Sequence, residues 1–499
     1  MNLNHPMMTG AQLLALLPAL QTHLDATLHL PTNINEATFA QQAITSITTD
    51  SRCIQTGDWF VALRGDTFDG HDFLETFITT NLAQPAGVMS DLPLETLYAK
   101  YPTWSLPVLQ VSDTLAGLQA LAMVWRQQFT CPIIAVTGSN GKTTVKEMLA
   151  SIVQCAYPHP DSVLATQGNL NNHIGVPLTL LQLRPAHQIA VIECGMNHPG
   201  EIAVLGAQVQ PTVALVNNAQ REHLEFMGSV AEVAKENGSI FTHLAPTGVA
   251  VFPADDDYAS VWYDLMTKQQ KRYPAQQIHT FSLSNTPLTL TLNVLGKHHQ
   301  HNALAAMTCA RAAGITETAI EQGLANFHPV AGRMRPHWLS PHHLVIDDTY
   351  NANPDSMRAG LQVLAESLAE STQDGVTIAV LGDMGEVGHD SVAFHREIGA
   401  FAREIGITYL LTVGDAMRDA VTAFNHDQGT HGQHFASHDA LIAALLTLWS
   451  SHRTEQPNTN ADTAITCSMI CLVKGSRFMR MEQIVQALLE QFAQRVSDV

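Results

Sequence analysis

The chain is short of positive charge. Its 499 residues carry 25 Lys and Arg against 45 Asp and Glu, a formal net charge of −20. That balance argues against nucleic acid as a partner, while lysines and arginines can still meet an anionic ligand locally. No apolar run reaches the length needed to span a membrane. The first residues, Met1-Asn2-Leu3-Asn4-His5, lack a charged leader, so no signal peptide is expected. Cysteine is sparse: seven residues, an odd and scattered set, fit reduced thiols and a cytoplasmic setting. Cys467 and Cys471 lie four apart, but on a strand-like apolar run (Ile470 to Val473) that does not suit a metal pair. Histidine is plentiful at 25, yet no Cys or His set has zinc spacing, so His298-His299 and His342-His343 read as surface residues. There is no internal repeat and no heptad. What remains is a chain with 45% hydrophobic residues, enough for several cores, and a length that suggests about three domains.

Against this background one segment stands out. The apolar run Ile133-Ile134-Ala135-Val136 leads into Thr137-Gly138-Ser139-Asn140-Gly141-Lys142-Thr143-Thr144. Lys142 to Cys155 follows with Val145, Met148, Leu149 and Ile152 at helical spacing. A strand, a glycine turn and a helix start form a phosphate cradle. Backbone N–H groups and the positive helix end meet the anion, and the lysine adds a point charge. Thr143 is suited to place a hydroxyl on Mg²⁺. The full G-x-x-x-x-G-K pattern would need glycine where Val136 stands. The loop therefore indicates a nucleoside triphosphate without saying how the phosphate is used.

The fold class expected is α/β with three domains. Residues 1–128 carry mixed signals for a smaller mixed α/β domain, with a strand at Trp59 to Leu63, a polar loop from Arg64 to Asp72 and a helix at Leu115 to Gln127 that links onward. Residues 129–330 alternate strands and helices around the cradle. The strands Ile189 to Ile192 and Val213 to Val216 end at Glu193 and Asn217-Asn218. Residues 331–499 repeat the pattern as a Rossmann-like parallel sheet, with strands ending at Asp347-Asp348, Gly382-Asp383, Gly414 and Lys474-Gly475-Ser476. Near-continuous apolar strands separated by helices mean parallel sheets, which bind ligands at the carboxyl ends of their strands. The polar stretches Asn425 to His438 and Ser451 to Asp462 read as loops.

Several polar residues cluster at those strand ends. Glu193 is placed to hold Mg²⁺ directly or through water, and His223 is a candidate ligand of a second metal. The run Gly168 to Pro177 is dense in amides: Asn169, Asn171 and Asn172 suit either a turn cluster or a polar wall for an oxygen-rich substrate. Asp348-Thr349-Tyr350-Asn351-Ala352-Asn353-Pro354 offers a carboxylate for a ribose hydroxyl and a ring for a base. Arg333 is suited to stabilise charge on transferring phosphoryl oxygens.

Together these segments resemble the Mur ligases, ATP-dependent amide-forming enzymes of peptidoglycan precursor synthesis. The resemblance covers nearly the whole chain. It rests on Thr137 to Thr144, Gly168 to Leu181, Glu193 to Ile202, Asn217-Asn218, His223-Leu224, Gly296 to Ala306, Gly332-Arg333, Asp348 to Met357, Gly382 to Gly388 and Lys474 to Arg477. It implies that Gly138, Ser139, Asn140, Gly141, Lys142, Thr143 and Thr144 cradle ATP, with Lys142 on the β- and γ-phosphates. Thr143 and Glu193 would hold one Mg²⁺, and His223 with Glu193 a second. Asn302 would contact adenine, and Arg333, Asp348 and Tyr350 would reach the nucleotide from the C-terminal domain. Ser51 and Arg52, with the loop Gly65 to Phe73, would take the UDP end of the substrate. Lys474 to Arg477 would border the site of the incoming amine. The Asn169 to Pro177 and Tyr350 to Pro354 segments, with Asn351 and Asn353, point to UDP-N-acetylmuramoyl-tripeptide and D-alanyl-D-alanine as the two substrates, and the enzyme is expected to be monomeric.

One position departs from the family, which usually has a lysine there whose carbamate helps hold the second Mg²⁺. By spacing it falls on Asn237, and Lys235 points to another side of the helix. Asn237 is expected to assist the second metal by its neutral amide, by water or through an anion. A sibling amino-acid-adding ligase and folylpolyglutamate synthetase remain alternatives at this stage. So does a P-loop phosphotransferase or nucleotide-gated binding protein without ligation. The N-terminal module counts against folylpolyglutamate synthetase.

Overall fold

The computed structural model describes residues 6–79, 84–284, 292, 294–340, 342–369, 375–426, 431–451 and 469–497. Cys467 and residues 452–462 lie outside them.

The central sheet has six parallel strands. In spatial order they are Gln277–Phe281, Val249–Pro253, Val213–Val216, Ile133–Thr137, Ile189–Glu193 and Val163–Ala165. The chain enters at Ile133–Thr137, builds one side, and then crosses to the other, so the cradle strand lies at the switch point where such sheets open a crevice. Parallel register places Glu193 beside Val136 and Val216 beside Thr137. Three strand ends therefore deliver their polar residues to one spot.

These strands are apolar throughout because both faces are covered. Ile134, Val136, Val191 and Leu215 pack with Val145, Met148, Leu149 and Ile152 of the cradle helix Lys142–Ala156 and with the helix Lys297–Ala312. Ile133, Ala135, Ile192 and Val216 face the other way. There the core does not stop at the sheet. It continues through Leu118, Leu121, Val124 and Trp125 of the helix Thr114–Arg126 to Leu13, Leu20, Phe39 and Trp59 of the N-terminal region. The same helix donates from Trp125 to the Leu183 carbonyl at 3.2 Å and from Arg126 to the Val209 carbonyl at 3.0 Å. It is the expected linker, and it is buried on both sides.

The N-terminal sheet orders Ala26–His29, Val108–Val111, Gly87–Ser90, Trp59–Val61 and Ile47–Thr48, with the first pair antiparallel and the rest parallel. The C-terminal sheet orders Arg335–Ser340, His343–Asp348, Met469–Lys474, Val376–Gly382, Tyr409–Val413 and His431–Phe435. Two of its strands were not legible. Arg335–Ser340 is an antiparallel edge with Trp338 56% exposed. His431–Phe435, inside the stretch read as a loop, is the opposite edge. Edge strands are covered less than central ones, so their sequences stay polar. The C-terminal body has its own cores on the two faces of this sheet.

Candidate active site

The cradle is built by glycine and held by asparagine. Gly138 and Gly141 sit at φ of 126° and 82°. A Cβ at Gly138 would come within 2.8 Å of the Asn217 nitrogen, and one at Gly141 within 2.4 Å of Asn302 Oδ1. Only glycine fits both positions. Asn217 Nδ2 donates to the Asn140 carbonyl at 2.8 Å and to Asn302 Oδ1 at 3.0 Å, while Asn140 N donates to Asn218 Oδ1 at 2.8 Å. The cradle helix starts after Gly141 with no side-chain cap. Its first-turn N–H groups have no intrahelical acceptor and face the cavity, a site suited to phosphate.

Lys142 lies folded over the loop. Its Nζ donates to the carbonyls of Gly138 at 2.5 Å and Ser139 at 3.0 Å and to Glu222 Oε1 at 2.7 Å. Sequence reasoning missed Glu222, whose only signal was its position between the strand-end asparagines and His223. Burial pushes its carboxyl up, but the Lys142 ammonium and His223 outweigh this and hold it below its ordinary value. One oxygen, Oε2, is buried without a partner.

Glu193 is 1% exposed. Its Oε1 accepts from Thr143 Oγ1 at 3.1 Å and from Asn171 Nδ2 at 2.7 Å, while its Oε2 is buried and unpartnered. A free carboxylate oxygen beside a threonine hydroxyl is a hard oxygen donor set that fits a divalent cation keeping most of its waters. Among the described residues, no three of His, Cys, Asp and Glu gather as a fuller metal cage. His223, in the left-handed region at φ 49°, places Nε2 3.5 Å from Glu222 Oε1 and Nδ1 2.5 Å from Glu386 Oε2. Burial lowers its pKa, but the two carboxylates outweigh burial and raise it to about 9.

Asn237 narrows an expectation, since direct ligation of a cation by its amide oxygen does not fit the contacts it makes. Its Oδ1 accepts from Thr137 Oγ1 at 2.7 Å and from the Gly138 N–H at 3.1 Å. The backbone donor fixes which end of the amide is oxygen. That oxygen braces the base of the cradle, and the free Nδ2 is a donor that no cation accepts as a ligand. Lys235 pairs with Glu232 on the exposed side.

A cavity of about 800 Å³ opens in front of the cradle. It brings together Asn169, Asn171, Asn172, Glu193 and His223 from the central body with Arg333, Asp348, Tyr350, Asn351 and Asn353 from the C-terminal one. Arg333 stacks on Tyr350 at 3.8 Å and donates to Thr143 Oγ1 at 3.1 Å, so it reaches the cradle from across the cleft. Asp348 Oδ2 is paired with Lys474 Nζ at 2.6 Å, and its Oδ1 accepts from Met334 N at 3.2 Å. Asn353 Nδ2 donates to Asn140 Oδ1 at 3.0 Å. Asn172 has a local task as well, accepting from Gly175 N at 2.9 Å at the start of the helix Gly175–Leu180. His298 and His299 are not surface residues: the helix Lys297–Ala312 turns them to the cavity, and His299 is 2% exposed. Ser51 and Arg52 stand apart. They do not line this cavity, and the Arg52 side chain is 85% exposed, paired with Asp50 at 2.8 Å.

A phosphate cradle, a buried carboxylate oxygen without a partner beside it and a second α/β body across the cavity are the parts that an ATP-activating ligase needs. The chain belongs to the Mur ligase family. The Mur ligase middle domain matches residues 136–310, the glutamate ligase domain matches 332–454, and the Mur ligase family catalytic domain matches 43–88. Within the family it is similar to the UDP-N-acetylmuramoyl-tripeptide–D-alanyl-D-alanine ligase of Escherichia coli (strain K12), 38% identical over 90% of this chain and 95% of that protein. The enzyme of the same name from Haemophilus influenzae is 34% identical over 90% and 94%. Among solved structures, MurF from Acinetobacter baumannii superposes with a TM-score of 0.77 at 32% identity, covering 95% of this chain and 98% of that one. MurF from Thermotoga maritima in complex with ADP shares the fold, with a TM-score of 0.70 at 23% identity over 90% and 98%.

Proposed function

We propose that this chain joins D-alanyl-D-alanine to UDP-N-acetylmuramoyl-tripeptide at the expense of ATP, in the cytoplasmic synthesis of peptidoglycan precursors. The observation that carries the reading is Arg333 of one body meeting Thr143 of the other over the cradle, which sets two substrate-bearing surfaces around one phosphoryl position.

A carboxylate and an amine do not condense usefully in water without activation. The γ-phosphoryl group of ATP passes to the terminal carboxylate of the tripeptide, giving an acyl phosphate and ADP. The dipeptide amine attacks that carbonyl carbon, loses a proton, and inorganic phosphate leaves as the amide forms. The protein's part is positioning and charge stabilisation. Lys142 exchanges Glu222 for the β- and γ-phosphates, and the first-turn N–H groups of the cradle helix hold the phosphate oxygens. Thr143 and Glu193 would hold a divalent cation, which would supply neutralisation of phosphate charge. Arg333 supplies the guanidinium from the far side. Asn302 sits for the base, Asp348 for the ribose and Tyr350 beside them. Ser51 and Arg52 serve the UDP end, and Asn351, Asn353 and the amides at Asn169, Asn171 and Asn172 serve the peptide. One chain carries every group named, and the enzyme is proposed to act as a monomer.

The test is to incubate the enzyme with ATP, Mg²⁺, UDP-N-acetylmuramoyl-tripeptide and candidate amines, then weigh the products by mass spectrometry. A gain of one D-alanyl-D-alanine with ADP and phosphate is expected. Gain of a single amino acid instead, or ADP without a new amide, refutes the assignment.

A further inference from the structure

Residues 217–223 connect the strand Val213–Val216 to the helix Leu224–Met227, and the side chains of 220–223 alternate between two bodies. Gln220 holds the cradle: its Oε1 accepts from Asn140 Nδ2 at 2.6 Å and its backbone N donates to Ser139 Oγ at 2.9 Å. Arg221 turns to the C-terminal body. It donates to Asp355 from Nε at 3.0 Å, Nη2 at 2.7 Å and the backbone N at 2.8 Å, and to Glu397 from Nη1 at 2.7 Å and Nη2 at 3.1 Å. Glu222 returns to the cradle lysine. His223 goes out again to Glu386.

Arg221 is three-quarters buried, lies over the Phe394 ring at 5.3 Å, and uses its planar fork on two carboxylates at once, a geometry lysine does not reproduce. Its side-chain partners Asp355, Glu397 and Phe394 lie on helices of the C-terminal body and not on either sheet. These contacts join the two bodies, and the residues on either side of Arg221 grip the cradle.

We infer that Arg221 is a positioning residue: its docking on Asp355 and Glu397 ties the placement of the C-terminal body to the placement of Gln220 and Glu222 on the phosphate cradle. This rests on the ligase reading for its kinetic consequence, but not for its structural one. Phosphate binding is built within the central body, while Arg333, Asp348 and Tyr350 reach the nucleotide from the C-terminal one, so loss of Arg221 weakens nucleotide binding less than it slows transfer. Transfer and amine attack need both bodies in register, and a misplacement on the order of 1 Å there costs about a hundredfold in rate.

The experiment compares Arg221→Met, which keeps the aliphatic stem, with Asp355→Asn/Glu397→Gln, which removes the charge of the acceptors, and with the triple variant. Spin labels attached bioorthogonally at exposed Lys268 and Arg418 report the distance between the bodies in the full chain with a non-hydrolysable ATP analogue, Mg²⁺ and the UDP-tripeptide. Expected are a broadened, longer distance in each variant and a loss of nucleotide affinity smaller than the loss of ligation rate. Ligation should fall by about tenfold or more, with the triple variant no worse than Arg221→Met, as coupled residues behave. A wild-type distance distribution in Arg221→Met, or losses that multiply in the triple variant, overturns the inference. If Arg221→Met does not fold, the Asp355→Asn/Glu397→Gln variant carries the same distance test. The distance readout needs no amide product, so failure of the ligase assignment is seen separately, as wild-type enzyme that makes none.

Discussion

The central sheet has two neighbours and meets them by opposite means. Toward the N-terminal region the seam is one continuous apolar core through the helix Thr114–Arg126. Toward the C-terminal body the cores are separate. What crosses is mostly polar: Arg221 to Asp355 and Glu397, His223 to Glu386, Asn140 to Asn353 and Arg333 to Thr143, while the partly buried Leu295 packs against the C-terminal core. Apolar burial is non-directional and costly to undo, at about 1.5–3 kcal/mol per large side chain. Ion pairs and amide pairs exchange readily with water and ligands and add little net stability when half exposed. The first seam suits a fixed platform. The second suits a joint that opens for substrates and closes for chemistry.

The comparison predicts that the two seams fail differently. Lys142→Ala, in the cradle over which the polar seam closes, should lower ligation by about a thousandfold or more, since it removes a preorganised charge at the phosphates. The thermal midpoint should stay close to wild type, and a calorimetric scan beside the product assay checks both. A large drop in midpoint would mean that the polar side is also holding the fold. Trp125→Ala, on the apolar side, should do the reverse. Trp125 is 3% exposed and packs edge-on to Phe129 at 5.2 Å. Its loss should cost about 3–5 kcal/mol in denaturant unfolding, while the turnover of enzyme that remains folded changes little.

The same contrast decides what could be read from sequence. The apolar strands and the cradle helix were legible because burial writes a period into the chain: Val145, Met148, Leu149 and Ile152 share one face, and all four are buried. The glycines of the cradle were legible because positive φ selects glycine. The polar joint was not. Arg221, Glu222, Asp355, Glu397 and Glu386 look like ordinary charged residues, and their meaning lies in partners up to 176 positions away. Asn237 was located by spacing, but direct ligation by its amide oxygen does not fit, because spacing says where a residue falls and not which of its atoms is already engaged. The edge strands Arg335–Ser340 and His431–Phe435 were missed for a related reason: less buried, they carry little of the apolar signature.

A smaller effect follows from pH. The pKa of His223 is raised from 6.5 to about 9 by Glu222 and Glu386 against the pull of burial. A raised histidine stabilises the arrangement fully below its unfolded pKa and loses that contribution as pH rises through the folded value. In enzyme without nucleotide or metal, the joint should therefore weaken between about pH 7 and 10, by on the order of 2 kcal/mol or less. The distance between the two bodies, measured across that range, should lengthen, and Glu386→Gln should flatten the curve. A joint that tightens with rising pH would contradict the pairing.

The smallest effect sharpens the platform side. Arg52 is exposed and, among the described residues, pairs with Asp50 alone, so Arg52→Ala should change stability by no more than about 0.5 kcal/mol. If it serves the UDP end, the same change should raise the KM for UDP-N-acetylmuramoyl-tripeptide several-fold and leave the KM for ATP alone, because the cradle lies in the separate cavity that Arg52 does not line. Initial rates against each substrate read this directly. An unchanged KM for the UDP substrate would remove Arg52 from the site. A raised KM for ATP would mean that the fixed seam transmits motion after all, since the substitution would then be felt through Thr114–Arg126 and the shared core.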